Sequence, residues 1–226
     1  MMSNSPYVVY TKLSPYNSGE RTSLISRITP HCIVGQCTVE TLGELFRNDS
    51  RQVSANYGIG SDGRIGLFVP ENFRSWCSSS RENDQCAVTI ECASDNKPPY
   101  AFNKSVYDAL VNLCVDICSR NGKNKLLWFG DKNKTLSYVP KDNEMVLSVH
   151  RWFAAKECPG EWLYSRLETL AETVTEALTK NNPGSDLYRV QLGAFMNKEN
   201  AEKFLETVKK AGFNDAFIAV VKNYYK

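Results

Sequence analysis

The sequence predicts an α/β protein, a mixed central sheet flanked by helices, followed by a small β-α-β domain at the C-terminus. Three observations carry this. Short β-branched runs alternate with amphipathic helical stretches, which places helices against a sheet. Two apolar runs flank Ser61-Asp62-Gly63 as a β-hairpin would. The stretch Lys180–Asp186 (KNNPGSD) sets Pro and Gly among polar residues, as a linker does. The expected organisation is therefore a domain over residues 1–179, a linker over 180–186 and a second domain over 187–226.

Taken in order, Ile25–Gln36 reads as a strand around a Pro-His pair, and Thr38–Arg47 as a short helix capped by Thr38. Val53–Val69 forms the hairpin, and Cys86–Ala93 (CAVTIECA) is apolar and β-branched, as a buried strand should be. Ser105–Asn121 places Val106, Ala109, Leu110, Leu113 and Ile117 on one helical face, with Gly122 to end it. Trp128 falls in a loop-like stretch, MVLSVH forms a strand ending at His150, and Glu161–Thr179 reads as one long amphipathic helix. Beyond the linker, Leu187–Phe195 reads as a strand, Asn197 caps a helix running through Lys210, and Ala216–Val221 is a second strand.

The bulk numbers exclude several classes. A chain of 226 residues holds one good-sized domain and a small one. A net charge of +2 with no Lys/Arg stripe argues against a nucleic-acid partner. No run approaches the length of a membrane span, so no membrane insertion is expected. Residues 187–226 hold seven Lys/Arg against four Asp/Glu, which suits an anionic polymer or simply a solvated helix face. Met1–Lys12 lacks a charged start followed by an apolar core, so no signal peptide is read and a cytoplasmic origin is expected. The eight cysteines then read as reduced thiols, mostly small core residues.

The chain has two histidines, His31 after Thr29-Pro30 and His150 at a strand end, and Cys158 follows His150 by eight residues. Two imidazoles and a thiolate suit zinc, and three protein ligands leave the open position that a catalytic site needs. From spacing alone, two packed core histidines explain the pattern equally well.

The segments ITPHC (Ile28–Cys32), SANYGIGSDGRIGLFV, AVTIE (Ala87–Glu91) and VHRWFAAKECPG (Val149–Gly160) resemble, in this order, the type 2 amidase family. That family includes bacterial amidases, phage amidase lysozymes and peptidoglycan recognition proteins, and the resemblance spans about residues 15–178. SANYGIGSDG and HRWFAAKECPG look like the endolysins and wall amidases of Gram-positive bacteria and their prophages. The resemblance implies one Zn2+ held by His31, His150 and Cys158, and hydrolysis of the amide between N-acetylmuramic acid and L-alanine in peptidoglycan. It assigns Glu91 as the general base that activates the attacking water, and Lys156 as the oxyanion-stabilising cation. Trp76 matches a Trp that often precedes a His in bacterial relatives and would line the substrate groove. Cys77 stands in that His position and is not read as a fourth ligand, since four protein ligands would close the site.

Some members place a catalytic Tyr seven residues before the hairpin Asp-Gly. Here Ala55 occupies that position and Tyr57 lies two residues along, so the expectation falls on Glu91 and not on Tyr57. A non-catalytic peptidoglycan-recognition module is the rival reading, but such members usually lose the Cys that is present here as Cys158.

The segment Tyr188–Ile218 resembles one repeat of the peptidoglycan-binding SPOR domain, which holds two. A homodimer through the C-terminal domain would supply the second. The resulting expectation is an endolysin, or a sporulation autolysin, that stays in the cytoplasm until release and then acts on the cell wall.

Overall fold

The computed structural model describes residues 4–180, 192–214 and 216–218. The chain divides into two compact units, Met1–Ser185 and Asp186–Lys226.

In the first unit the chain runs β1 (Val8–Thr11), β2 (Asn17–Glu20), β3 (Arg27–Cys32), α1 (Val39–Leu45), β4 (Tyr57–Ile59), β5 (Ile65–Leu67) and β6 (Phe73–Ser75). It continues α2 (Arg81–Cys86), β7 (Ala87–Cys92), α3 (Lys104–Arg120), β8 (Lys125–Leu127), α4 (Lys132–Ser137), β9 (Glu144–Leu147), α5 (Glu161–Tyr164) and α6 (Leu167–Lys180). Seven strands form one sheet in the order β1-β5-β4-β7-β3-β9-β8, and β2 pairs with β6 in a separate ribbon. Only the β4–β5 hairpin is antiparallel within the large sheet, so the sheet is mixed, as the sequence predicts. The hairpin turn closes through Gly63, whose φ of +83° costs a glycine little.

Helices cover both faces. On one, α3 buries Val106, Leu110, Leu113 and Ile117, and α6 buries Leu167, Leu170, Val174 and Leu178, all in one core with Ile28, Val88 and Ile90. Each such aliphatic side chain contributes roughly 1.5–3 kcal/mol on burial. On the other, Leu42 and Phe46 pack on Ala55 and Phe68.

The expected single helix over Glu161–Thr179 is two helices. The Trp162 carbonyl accepts from Ser165 Oγ (3.2 Å) and Arg166 Nη1 (2.9 Å), while the Arg166 amide bonds back to Leu163. Side chains thus occupy the carbonyl that would have continued the α-helical ladder.

Pro30 shapes the sheet where it matters most. The β9 ladder on β3 runs through Val146 N–H to Ser26 and Ser148 N–H to Ile28. The next bond in this parallel register would come from the amide of residue 30, which proline lacks. Pairing stops there, and the chain after β9 turns into a short 3-10 segment, His150–Trp152.

In the second unit, α7 (Lys198–Lys210) begins at Asn197, whose side chain accepts from the Glu199 and Asn200 amides, and stops before Gly212 at φ +103°. The expected strand Leu187–Phe195 falls outside the described residues as far as Gln191, and residues 192–195 are not in a strand. Of the expected strand Ala216–Val221, the described residues 216–218 are not extended into one, and the rest lies outside. Most of the expected linker, 181–186, also lies outside the described residues. No helix among the described residues is long and apolar enough to cross a membrane.

Candidate metal centre and active site

The site forms at the carboxyl ends of parallel strands, where open α/β sheets bind ligands. His31 lies on β3 and Glu91 on β7, and the two are register partners, so both side chains leave the same face of the sheet. Because β9 cannot follow β3 past Pro30, the chain peels away and brings His150 across, with ring centroids 5.0 Å from His31. Cys158 arrives from the following loop. Its Sγ lies 3.3 Å from His31 Nδ1, and its carbonyl accepts from the Arg151 amide. Arg151 braces that loop through the Glu157 carbonyl at 2.6 Å and the Glu161 carboxylate at 3.2 Å. The loop closes at Gly160 (φ +83°), where a Cβ would stand 2.8 Å from the Pro99 carbonyl oxygen. A glycine is required there.

One donor atom each from His31, His150 and Cys158 lies within 4.8 Å of the others. Tetrahedral zinc arms of roughly 2.0–2.3 Å bring donors to about 3.3–3.8 Å apart, so the set fits one ion with little movement. His31 is wholly buried and its Nε2 has no hydrogen-bond partner among the described residues. Burial, and then the neighbouring His150, hold its pKa well below the ordinary histidine value, so the ring is neutral as a ligand must be. His150 is lowered too, first by burial and then by Lys156. The Cys158 thiol is pushed up by burial and by the Cys32 thiol beside it. The donor chemistry and the approach of Cys158 Sγ to His31 Nδ1 fit a metal ion.

Glu91 Oε1 is 3.8 Å from His31 Nδ1 and 3.8 Å from Cys77 Sγ, while Oε2 is buried without a partner. Burial pushes this carboxyl up to about 8. His150, Cys158, Glu91, Lys156, Trp76 and Cys77 all line one cavity of about 460 Å³. Lys156 is exposed at its rim, with no ion pair among the described residues. Trp76 is held from outside, its indole nitrogen donating to Ser18 Oγ (2.7 Å) and its ring tilted on Tyr16.

His31, His150, Cys158, Glu91, Lys156 and Trp76, the six residues that the sequence assigns to the site, thus lie together. Tyr57 does not join them. It is wholly buried, donates to Glu71 Oε1 at 2.5 Å and accepts from the Ser5 amide. Ala55 sits in the small apolar cluster under α1.

Several supporting residues carry no signal in the sequence. Ser79 Oγ lies 3.1 Å from His150 Nε2. Beneath the site, Asn83 donates to Thr29 Oγ1 (3.0 Å) and accepts from Ser148 Oγ (2.9 Å), which ties α2, β3 and the approach to His150 together. Asp84 accepts the Cys77 and Ser78 amides and fixes the loop carrying Trp76 and Cys77. The Ser79 and Asn83 contacts join residues some 54 to 71 positions apart in the chain, beyond any local pattern.

Two histidines, a thiol, a buried carboxylate and an exposed lysine gathered at one end of the sheet are the layout of a candidate metal centre. The chain belongs to the N-acetylmuramoyl-L-alanine amidase family, whose model matches residues 21–161, and it is a peptidoglycan amidase by that membership. The SPOR domain model matches residues 161–219. The first 20 residues of that match are α5, α6 and their junction, whose apolar side chains lie in the core of the first unit.

Among solved structures, the chain is similar to a selenomethionine derivative of AmpD at 18% identity and TM-score 0.50, covering 79% of this chain and 99% of that one. It is similar to the Staphylococcus aureus hydrolase AmiA in complex with its ligand at 12% identity and TM-score 0.50, covering 77% and 84%. The Ph2119 endolysin from a Thermus scotoductus bacteriophage matches at 18% identity and TM-score 0.47, covering 70% and 90%. The first two likenesses establish the fold. No curated protein matches the chain.

Proposed function

We propose that this chain is a zinc-dependent N-acetylmuramoyl-L-alanine amidase, hydrolysing the amide between the lactyl group of muramic acid and L-alanine. The observation that carries the reading is the convergence of His31, His150 and Cys158 beside the buried carboxylate of Glu91. His31, His150 and Cys158 would hold the ion, and when bound it supplies Lewis-acid polarisation of the scissile carbonyl. Glu91 takes a proton from the attacking water at its unpartnered oxygen and passes it to the departing amine of L-alanine. The C–O bond forms first, putting negative charge on the former carbonyl oxygen, and the C–N bond then breaks as the amine takes the proton from Glu91. Lys156, free at the rim, stabilises the developing oxyanion, and Trp76 forms a wall for the glycan or stem.

The natural substrate in this reading is the Gram-positive cell wall, and the enzyme an endolysin, of prophage type, or an autolysin. It is made in the cytoplasm and reaches the wall once released. The C-terminal unit would bind the wall or pair with a second copy, as its SPOR match and net positive charge support.

The test is digestion of purified walls by wild type and Glu91→Ala, each with and without chelator, scoring new L-alanine amino ends against new reducing sugar ends. Amino ends that vanish with chelator and with Glu91→Ala carry the reading. Their absence from zinc-loaded wild type would leave a recognition module that binds without cutting.

A further inference from the structure

A second donor set lies against the first. One atom each from His31, Cys77 and Glu91 also falls within 4.8 Å of the others. Imidazole, thiolate and carboxylate are all zinc ligands, so the set is chemically complete for a three-coordinate protein site. It is also built. The Asp84 carboxylate holds the Cys77 amide at 3.0 Å, β7 fixes Glu91, and β3 fixes His31. His31 is fully buried, and the Glu91 Oε2 atom is buried without a partner among the described residues. The two sets meet at His31. Its Nδ1 faces both Cys158 Sγ (3.3 Å) and Glu91 Oε1 (3.8 Å), and one lone pair binds one ion.

We propose that Cys77 gives this centre a second, mutually exclusive position for a thiophilic divalent cation, held by His31, Cys77 and Glu91. An ion there takes Glu91 as a ligand, so the carboxylate can no longer accept a proton, and the position is a parked, unproductive one. The designation of that state as unproductive rests on Glu91 being the base. A further consequence is that the centre retains metal when Cys158 is lost.

The experiment is titration of the full-length apoprotein with Cd2+, following calorimetry and the ultraviolet thiolate-to-cadmium charge-transfer band. Wild type, Cys77→Ala, Cys158→Ala and the double variant are compared, with circular dichroism to confirm folding and Cys158→Ser as the alternative should Cys158→Ala fail to fold. Relative to the double variant, wild type and each single variant bind one ion per chain and show the band. The double variant loses the band, and its affinity falls by more than the roughly 10–100-fold that removal of an outer-shell partner costs.

A folded Cys158→Ala protein without the band overturns the proposal. So does a band that persists in the double variant, which would assign the role to Cys32, or two ions per wild-type chain, which would mean that His31 is not shared. Because the band is read without substrate, a protein that binds Cd2+ this way but cuts no wall would fail as an amidase while leaving the second position standing.

Discussion

Helices α6 and α7 are nearly equal in length and both amphipathic, yet they meet different fates. In α6, five of 14 residues are buried, and its apolar face is part of the core beneath the sheet. In α7, 13 residues long, only Val208 is buried, and Phe204 is exposed beside Phe195. The pattern of apolar residues is therefore a necessary condition for burial but not a sufficient one. What α6 has is a sheet and a second helix, α3, wide enough to cover its stripe. A unit of about 40 residues has little surface with which to do the same. The candidate site follows the packing, because His31 and Glu91 sit on strands paired on both sides.

The largest effects should therefore fall in the first unit. Glu91→Ala is expected to lower wall hydrolysis by about 10²–10⁴-fold while the fold persists, as loss of a general base does. Lys156→Ala should cost about 10²–10³-fold in turnover, the range for removal of one oxyanion donor. Both are read from the release of amino ends.

Next come stability effects. Leu170→Ala in α6 is expected to cost about 2–5 kcal/mol in denaturant unfolding, because it leaves a cavity in a closed core. Phe204→Ala in α7 removes a side chain that is already 37% exposed and should cost less. Equal losses at the two positions would break the comparison. Tyr57→Phe should cost about 1–3 kcal/mol by removing a buried donor to Glu71, with amide hydrolysis retained.

A pH effect sharpens the account further. Burial raises the Glu91 carboxyl to about 8 in the fold, against about 4.5 when unfolded. Between those values the chelator-treated native protein holds a proton that the unfolded chain does not. Its stability should fall as pH rises through that window and level off above about 8. Thermal unfolding of Glu91→Gln should show a shallower decline.

Much of this was legible in the sequence, for identifiable reasons. The hairpin around Asp62-Gly63, the caps Thr38 and Asn197, and the apolar faces of α3 and α6 follow from local periodicity and turn chemistry. His31, His150, Cys158, Glu91 and Lys156 stand in short motifs, and the structure brings them together. The short strands β1, β2 and β6 were not legible, since three or four residues with half-buried faces carry too little pattern. Helix α2 was hidden because RENDQC has no apolar stripe and exists to present Asn83 and Asp84 inward. The break before α6 depends on side-chain competition for one carbonyl. The meeting of Cys77 with Glu91 depends on how far the loop carrying Cys77 reaches over β7, which no local spacing encodes.

The most direct test of the central claim is mass analysis of wall fragments digested in heavy-oxygen water. The account predicts the label in the lactyl carboxylate of muramic acid and an unlabelled stem peptide with a free L-alanine amine. Label at a sugar reducing end, or at a carboxylate within the peptide, would contradict it.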